Sequence, residues 1–316
     1  PRLRQAKRQP SDAPRPQIRN HVAIWRAKNV WGGRSKGIQR HISGRILVSE
    51  IIVSKQDLQR IDQIANKPPQ ALLIVADYGL DGKNVAQKIA KNSDIFHLKP
   101  LPDKQAISVE QIRELIIKLR TYAINRRTII IDSADLMTES SQNALLKILE
   151  EPNKNTNFIL IVANQKSLLD TIKSRCQTLT LHKTSLVEDR KLLEKYNLDP
   201  STNQQILFLA AGRPLLIQQL ARNPKKFAEY RQLATDAKHI LVSPRQYSAL
   251  KSLAKYFTDR QKAILLTDII INMIRFQALS HGMNHQFEEQ LSRTITVANA
   301  LRSNANIKLS LTQLVL

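Results

Sequence analysis

Thr128-Ile129-Ile130-Ile131-Asp132-Ser133-Ala134-Asp135 decides the fold. Three isoleucines in succession leave no polar alternate, so the stretch reads as a strand covered on both faces, the kind found inside a parallel sheet. Its carboxylates fall where the strand gives way to a loop. A helical stretch follows over residues 140–151, with Leu145, Ile148 and Leu149 on one face and Pro152 to stop it. The same order recurs on either side. Upstream, Ala71-Leu72-Leu73-Ile74-Val75-Ala76 runs through a loop into a helical stretch at 85–91, and a helix at 109–122 leads back to the quoted strand. Downstream come a third apolar strand at 158–163, a helix at 167–173 and a strand at 178–181. Residues 47–64 read as a short strand or turn followed by a helix. Strands alternating with helices imply parallel β with crossover helices, an α/β domain over residues 46–182.

After Ser185 the strand signal ends. Helical segments are expected at 186–196, 203–211, 215–221 and 226–240, punctuated by Pro200, Gly212, Pro214 and Pro224. Beyond Pro244 the chain reads as all-helical, with Phe287, Leu291, Ile295, Ala298 and Leu301 at helical spacing. The expected organisation is therefore an α/β base over 46–182, a helical domain over 183–240 and a second helical domain over 241–316.

Composition narrows the class. The 316 residues are 42% hydrophobic and 5% aromatic, with 8 Gly, which excludes collagen, a low-complexity chain and most all-β sandwiches. The greasiest stretch, 263–279, is interrupted by Thr267, Asp268, Asn272 and Arg275, and no unbroken apolar run reaches the ~18 residues of a membrane span. On that ground a span is excluded. Cys176 is the one cysteine, so neither a disulfide framework nor a multi-cysteine zinc site is available, and a reducing compartment is the natural reading. His281 and His285 stand four apart, but Gly282 interrupts the helix pattern and no third ligand is evident, so no metal is expected.

The net charge of +23 is uneven. Residues 1–45 hold nine Arg and three Lys against Asp12 alone, together with Pro10, Pro14, Pro16, Trp25 and Trp31, and show no sustained period. They read as a disordered basic arm, with phosphate-backbone contact, a transit peptide and an upstream artefact as competing accounts. The chain starts on Pro1 rather than Met, which fits a fragment, a processed end or a mis-set gene start. The rest of the chain is still basic, which favours a polyanionic partner.

Asp77-Tyr78-Gly79-Leu80-Asp81-Gly82-Lys83-Asn84 has the placement of a phosphate-binding loop, in which backbone amides and a lysine cradle phosphates at a helix N-terminus. The pattern G-x-x-x-x-G-K-[ST] is half met. Gly82-Lys83 is in place, but Asp77 replaces the first glycine, Asn84 replaces the magnesium-binding hydroxyl, and Asp81 adds a carboxylate. Like charges ~5 Å apart at an effective dielectric of ~20 repel by ~3 kcal/mol, so either Asp beside a triphosphate weakens its binding by about two decades. Asp132 can hold magnesium through water, but Ser133 stands where many such ATPases place a Glu to polarise the attacking water, and a hydroxyl cannot take that proton.

Asp132-Ser133-Ala134-Asp135-Leu136-Met137-Thr138, then Gln142-Asn143-Ala144-Leu145-Leu146-Lys147-Ile148-Leu149-Glu150-Glu151-Pro152, and later Thr171-Ile172-Lys173-Ser174-Arg175-Cys176-Gln177, resemble the clamp-loader branch of AAA+ ATPases. Ile107-Ser108-Val109-Glu110-Gln111-Ile112-Arg113-Glu114-Leu115 and Asn304-Ala305-Asn306-Ile307-Lys308-Leu309 support it, and the resemblance covers residues 47–316. Within that branch the chain looks like the delta-prime family of bacterial DNA polymerase III, with an intact Ser-Arg-Cys trio beside a decayed nucleotide site. The ATP-hydrolysing gamma/tau family is the second match, because its full phosphate loop and Asp-Glu pair are missing here. The four-cysteine zinc module common in these proteins is absent between Lys83 and Asp132.

The resemblance implies an AAA+ base, a helical lid and a helical collar. It implies that Arg175, supported by Ser174 and Cys176, acts in trans as an arginine finger on ATP held by a neighbouring subunit. Such a group is worth ~10³–10⁵ in rate, or ~4–7 kcal/mol of barrier. Cys176 reads as a packing residue and Ser174 as a turn former. Gly79, Gly82, Lys83, Asn84, Asp132, Asp135, Asn164 (a sensor of the γ-phosphate in active relatives) and Arg213 (near the second sensor) would make up a degenerate nucleotide site, with weak ATP and magnesium binding. Glu150 and Glu151 read as salt-linked or solvated rather than as acid and base. The implied partners are gamma/tau and delta subunits, the sliding clamp and primer-template DNA held by its backbone, with no membrane. The implied setting is a cytoplasmic, nucleoid-associated bacterial replisome. A gamma/tau-like motor and a basic DNA-binding scaffold with vestigial AAA+ features are the alternatives.

Overall fold

The computed structural model describes residues 38–41 and 51–315, apart from residues 103, 105, 121–124, 243–245, 283 and 304. The α/β part holds β1 (Ile38–His41), α1 (Lys55–Asn66), β2 (Ala71–Val75), α2 (Gly82–Ile89), β3 (Asp94–Leu98), α3 (Val109–Leu119), β4 (Arg127–Ile131), α4 (Glu139–Glu150), β5 (Thr156–Val162), α5 (Asp170–Lys173) and β6 (Gln177–Thr180). The strand order is β1-β3-β4-β5-β2-β6. Strands β3, β4, β5, β2 and β6 run parallel, in registers such as Ile129 opposite Phe158 and Val75 opposite Thr180.

Each unbroken apolar strand feeds two cores. Leu73, Ile129, Ile131, Phe158 and Leu160 face α3 and α4, where they meet Ile112, Leu115, Leu145 and Ile148. Leu72, Ile74, Ile130, Ile159 and Ile161 point the other way, onto Ile61, Val85 and Ile89 of α1 and α2. Period-2 geometry sends alternate residues to opposite faces, so a strand covered twice has no polar alternate.

Two features depart from the expected strands. β3 was not anticipated. Its Asp94 and His97 dilute the apolar signal, yet all five residues are buried. β1 lies within the arm expected to be disordered and pairs antiparallel with β3, Ile38 opposite Leu98. Its ladder covers main-chain groups that would otherwise be an open sheet edge. The rest of residues 1–45 lies outside the described residues.

The helical part holds α6 (Leu186–Glu194), α7 (Pro200–Ala210), α8 (Pro214–Arg222), α9 (Pro224–Val242), α10 (Gln246–Ala254), α11 (Arg260–His281), α12 (His285–Arg302) and α13 (Ile307–Thr312). Pro200, Pro214 and Pro224 start helices rather than break them, since the missing N–H costs nothing in a first turn. By length and composition alone, α11 could cross a membrane, which corrects the sequence argument. Packing decides the matter: Ala263, Leu266, Ile269, Ile270 and Ile274 belong to one buried cluster that extends from Leu193 to Leu311. Asp268 of α11 is buried in ion pairs.

Candidate functional site

The loop between β2 and α2 stands at the C-terminal end of a central strand, where parallel sheets bind ligands. Gly79 has φ +87, and a Cβ there would lie 2.9 Å from Cβ of Arg213, so a side chain is excluded twice. Gly82 opens α2 with a would-be Cβ 2.8 Å from Ala76. Lys83 is exposed. Asp81, by contrast, is 3% exposed. Its carboxylate accepts from the Ile52 N–H and from Nδ2 of Asn84 at 3.1 Å. Burial raises its pKa above the ordinary 3.8, against the pull of those hydrogen bonds. The Asn84 side chain is thereby engaged within the loop.

Asp132 and Asp135 sit beyond the end of β4, both half-buried, and Ser133 between them has φ 57. Asp135 accepts from the N–H groups of Ala163 and Asn164, which ties the end of β4 to the end of β5. Desolvation raises its pKa, and the charge of Asp132 adds to that shift. Oδ1 of Asn164 accepts from the Lys166 N–H at 3.0 Å, a local cap.

Arg213 comes from the helical part and docks on the loop. It is 4% exposed, and its Nη2 donates to Oδ2 of Asp77 at 3.3 Å and to Oδ2 of Asp268 at 3.0 Å. Nη2 of Arg302 meets Oδ1 of the same Asp268 at 2.5 Å. The Leu215 N–H donates to the Gly79 carbonyl at 3.1 Å, and Nζ of Lys226 reaches the Tyr78 hydroxyl at 3.4 Å. Asp268 and Arg302 were not among the expected site residues. Their partners lie 55 and 34 residues away, with no local signal to mark them.

Arg175 lies elsewhere. It follows α5 and precedes β6, the edge strand, and it is exposed. Its Nη2 pairs with Oε1 of Glu150 at 2.6 Å, and its Nη1 donates to the Thr171 carbonyl at 2.9 Å. Ser174 Oγ also donates to Thr171, at 3.1 Å. Cys176 packs half-buried against the sheet core, and desolvation pushes its thiol up to about 11. Gln177 pairs with Leu72, so Arg175 lies near the N-terminal end of β2. The loop after β2 is at the other end, about 20 Å away at ~3.3 Å per residue. The structure therefore gathers the loop with Arg213, and Asp132 and Asp135 with Asn164, and sets the Ser174-Arg175-Cys176 trio apart from both.

Among the described residues no group of three or more His, Cys, Asp or Glu could hold a metal ion. One further buried acid joins elements here. Asp57 of α1, fully buried, accepts from the N–H of His182 at 2.7 Å and contacts its Nδ1 at 2.9 Å, which fastens the chain leaving β6.

Residues 80–185 match the family model described as DNA polymerase III, delta subunit. The chain is 30% identical over 209 residues to DNA polymerase III subunit delta' of Haemophilus influenzae, a match covering 64% of this chain and 59% of that protein. It is 42% identical over 93 residues to the corresponding Bacillus subtilis subunit, 28% of each chain. Among solved structures, a DNA polymerase III gamma subunit-related protein from Thermotoga maritima aligns at a TM-score of 0.44 and 19% identity, over 82% of this chain and 97% of that one. The matched stretches span less than two thirds of these curated relatives' own length. Over the stretches that align, the chain is similar to the delta' subunits of bacterial DNA polymerase III.

Proposed function

We propose that the chain is a non-hydrolysing subunit of a bacterial clamp loader and supplies Arg175 in trans to ATP held by a neighbouring subunit. The observation that carries this reading is the placement of Arg175. It is exposed at an edge strand, at the opposite end of the sheet from its own loop, and braced by Glu150 and Thr171. An arginine so held is a preorganised, permanently charged donor, suited to the charge on a transferring phosphoryl group. It cannot turn back on a loop about 20 Å away along β2.

The chain's own loop does not fit a magnesium-bound triphosphate. Asp77 puts a carboxylate where the loop pattern has its first glycine, Asp81 adds a second, buried one, and Asn84 is held by Asp81 instead of offering a hydroxyl. Ser133 lacks the basicity to activate water. The role is therefore that of a loader component, neither polymerase nor efficient ATPase. The partners are gamma/tau and delta subunits, the sliding clamp and primer-template DNA held by its phosphates, in the cytoplasm at the replisome. Exposed Tyr247, Phe276, Leu279 and Leu309 on the last helices support assembly through the helical collar.

The test is ATP hydrolysis by a loader reconstituted with partner subunits. Arg175→Ala is expected to lower turnover at the adjoining site by ~10³ or more while assembly is unchanged. Arg175→Lys should recover little, since a point charge does not reproduce the planar fork. An assembled loader whose hydrolysis is indifferent to Arg175→Ala would refute the finger and leave the scaffold reading standing.

A further inference from the structure

Asp77 stands at the position that phosphate-binding loops give to their first glycine, and the group facing it is a guanidinium from another part of the chain. Arg213 is almost wholly buried, and one nitrogen, Nη2, serves both Asp77 and Asp268. Its Nε is buried without a partner among the described residues. A buried arginine without a counter-charge is strongly unfavourable, so the two carboxylates carry its neutralisation. Asp268 already answers Arg302. Neutralisation on the side of the loop falls to Asp77.

The backbone shows how closely the two segments rest together. Leu215, in the first turn of α8, donates its N–H to the Gly79 carbonyl, which engages a helix-start amide that has no partner within its own helix. The glycine lets α8 sit directly on the main chain of the loop. Lys183 stands close enough to Arg213, Arg275, Asp77 and Asp268 to feel all four, and burial is the main cause that lowers its pKa. This junction thus holds more cations than anions, and it needs each carboxylate it has.

We propose that Asp77 is a built-in anion. Its carboxylate takes the place, opposite Arg213, that a phosphate would fill, and holds α8 on the β2–α2 loop with no nucleotide present. Through Asp268 and Arg302 the same guanidinium ties the loop to α11 and α12. A glycine at 77 would leave Arg213 in need of a mobile anion. A carboxylate fixed in the chain cannot dissociate, so the contact between loop and α8 becomes insensitive to nucleotide. The inference concerns this chain alone and is independent of what Arg175 does.

Amide hydrogen exchange on the full chain tests it, read at Leu215 and through α8, with the amides of β4 and β5 as internal reference. In the wild type, millimolar ATP with magnesium should leave α8 unchanged. Asp77→Asn, isosteric and uncharged, should speed exchange of the α8 amides about tenfold, the loss of one charge-assisted hydrogen bond at a partly exposed site. β4 and β5 should not respond. Asp77→Glu should restore much of the protection, and millimolar pyrophosphate should slow the Asn variant again but not the wild type. Three results would overturn the proposal: wild-type α8 slowed several-fold by ATP, an Asn variant that exchanges like the wild type, or an Asn variant on which pyrophosphate has no effect. Equal acceleration in β4 and β5 would likewise count against it, as a loss of global stability.

Discussion

A carboxylate buried at the head of α2 works against folding at neutral pH. Asp81 is held by Asn84 and by the Ile52 N–H, yet desolvation is the larger influence and its folded-state pKa lies above the ordinary 3.8. A raised carboxyl pKa means that folding favours the protonated form. The associated stability is fully present below the unfolded value of about 3.8 and is lost as pH rises through the folded value. Asp81→Asn keeps an acceptor and removes the charge. Thermal unfolding should therefore show the variant at or above the wild type at pH 7, with the difference shrinking toward pH 4 as Asp81 itself becomes neutral. A constant difference at both pH values would mean that the carboxylate is not desolvated. The spacing of the loop revealed two misplaced acids, Asp77 and Asp81, but not their separate fates. One turns inward to its neighbour three residues on, and the other meets Arg213, 136 residues away. A local pattern contains the first kind of partner and cannot contain the second.

At the scale of elements, the turn after β2 depends on a bare backbone. Gly79→Ala must place a β-carbon in a left-handed conformation, at about 1–2 kcal/mol, and must push Arg213 away across a gap of 2.9 Å. The variant is expected to lose about 2–4 kcal/mol in denaturant unfolding, a sum of backbone strain and lost packing. A loss under ~0.5 kcal/mol, the size of an ordinary surface change, would show that the loop relaxes freely. The strands with unbroken aliphatic runs were legible because burial on both faces removes every polar alternate, as in Ile129-Ile130-Ile131. β3 was not, since Asp94-Ile95-Phe96-His97-Leu98 interrupts its apolar residues with two polar side chains that are nonetheless buried. Prolines misled for a similar reason. Asp199 caps α7 by accepting from the Thr202 N–H at 2.9 Å, and with that cap in place Pro200 is a favourable first residue, not a stop.

For the whole molecule, the expected division of the helices near residue 240 meets a single core. Buried side chains from Leu193, Ile206 and Leu216 through Leu233 and Ile240 to Leu266, Ile270, Val297 and Leu311 form one cluster. Asp268 sits where that core meets the α/β part, between Arg213 and Arg302. Helices that share a core gain little by opening separately, because the first to leave exposes the apolar face of those that remain. The helical part should then open as one unit: in hydrogen exchange with increasing denaturant, amides of α8, α9, α11 and α12 should converge on one opening free energy. Asp268→Ala strips two arginines of a buried counter-charge, and should lower that common value by about 3–5 kcal/mol. It should do so equally on both sides of residue 240. If α8 and α9 instead open at a free energy well apart from α11 and α12, and Asp268→Ala moves only one group, the shared core does not couple them. Lid and collar would then be independent folding units.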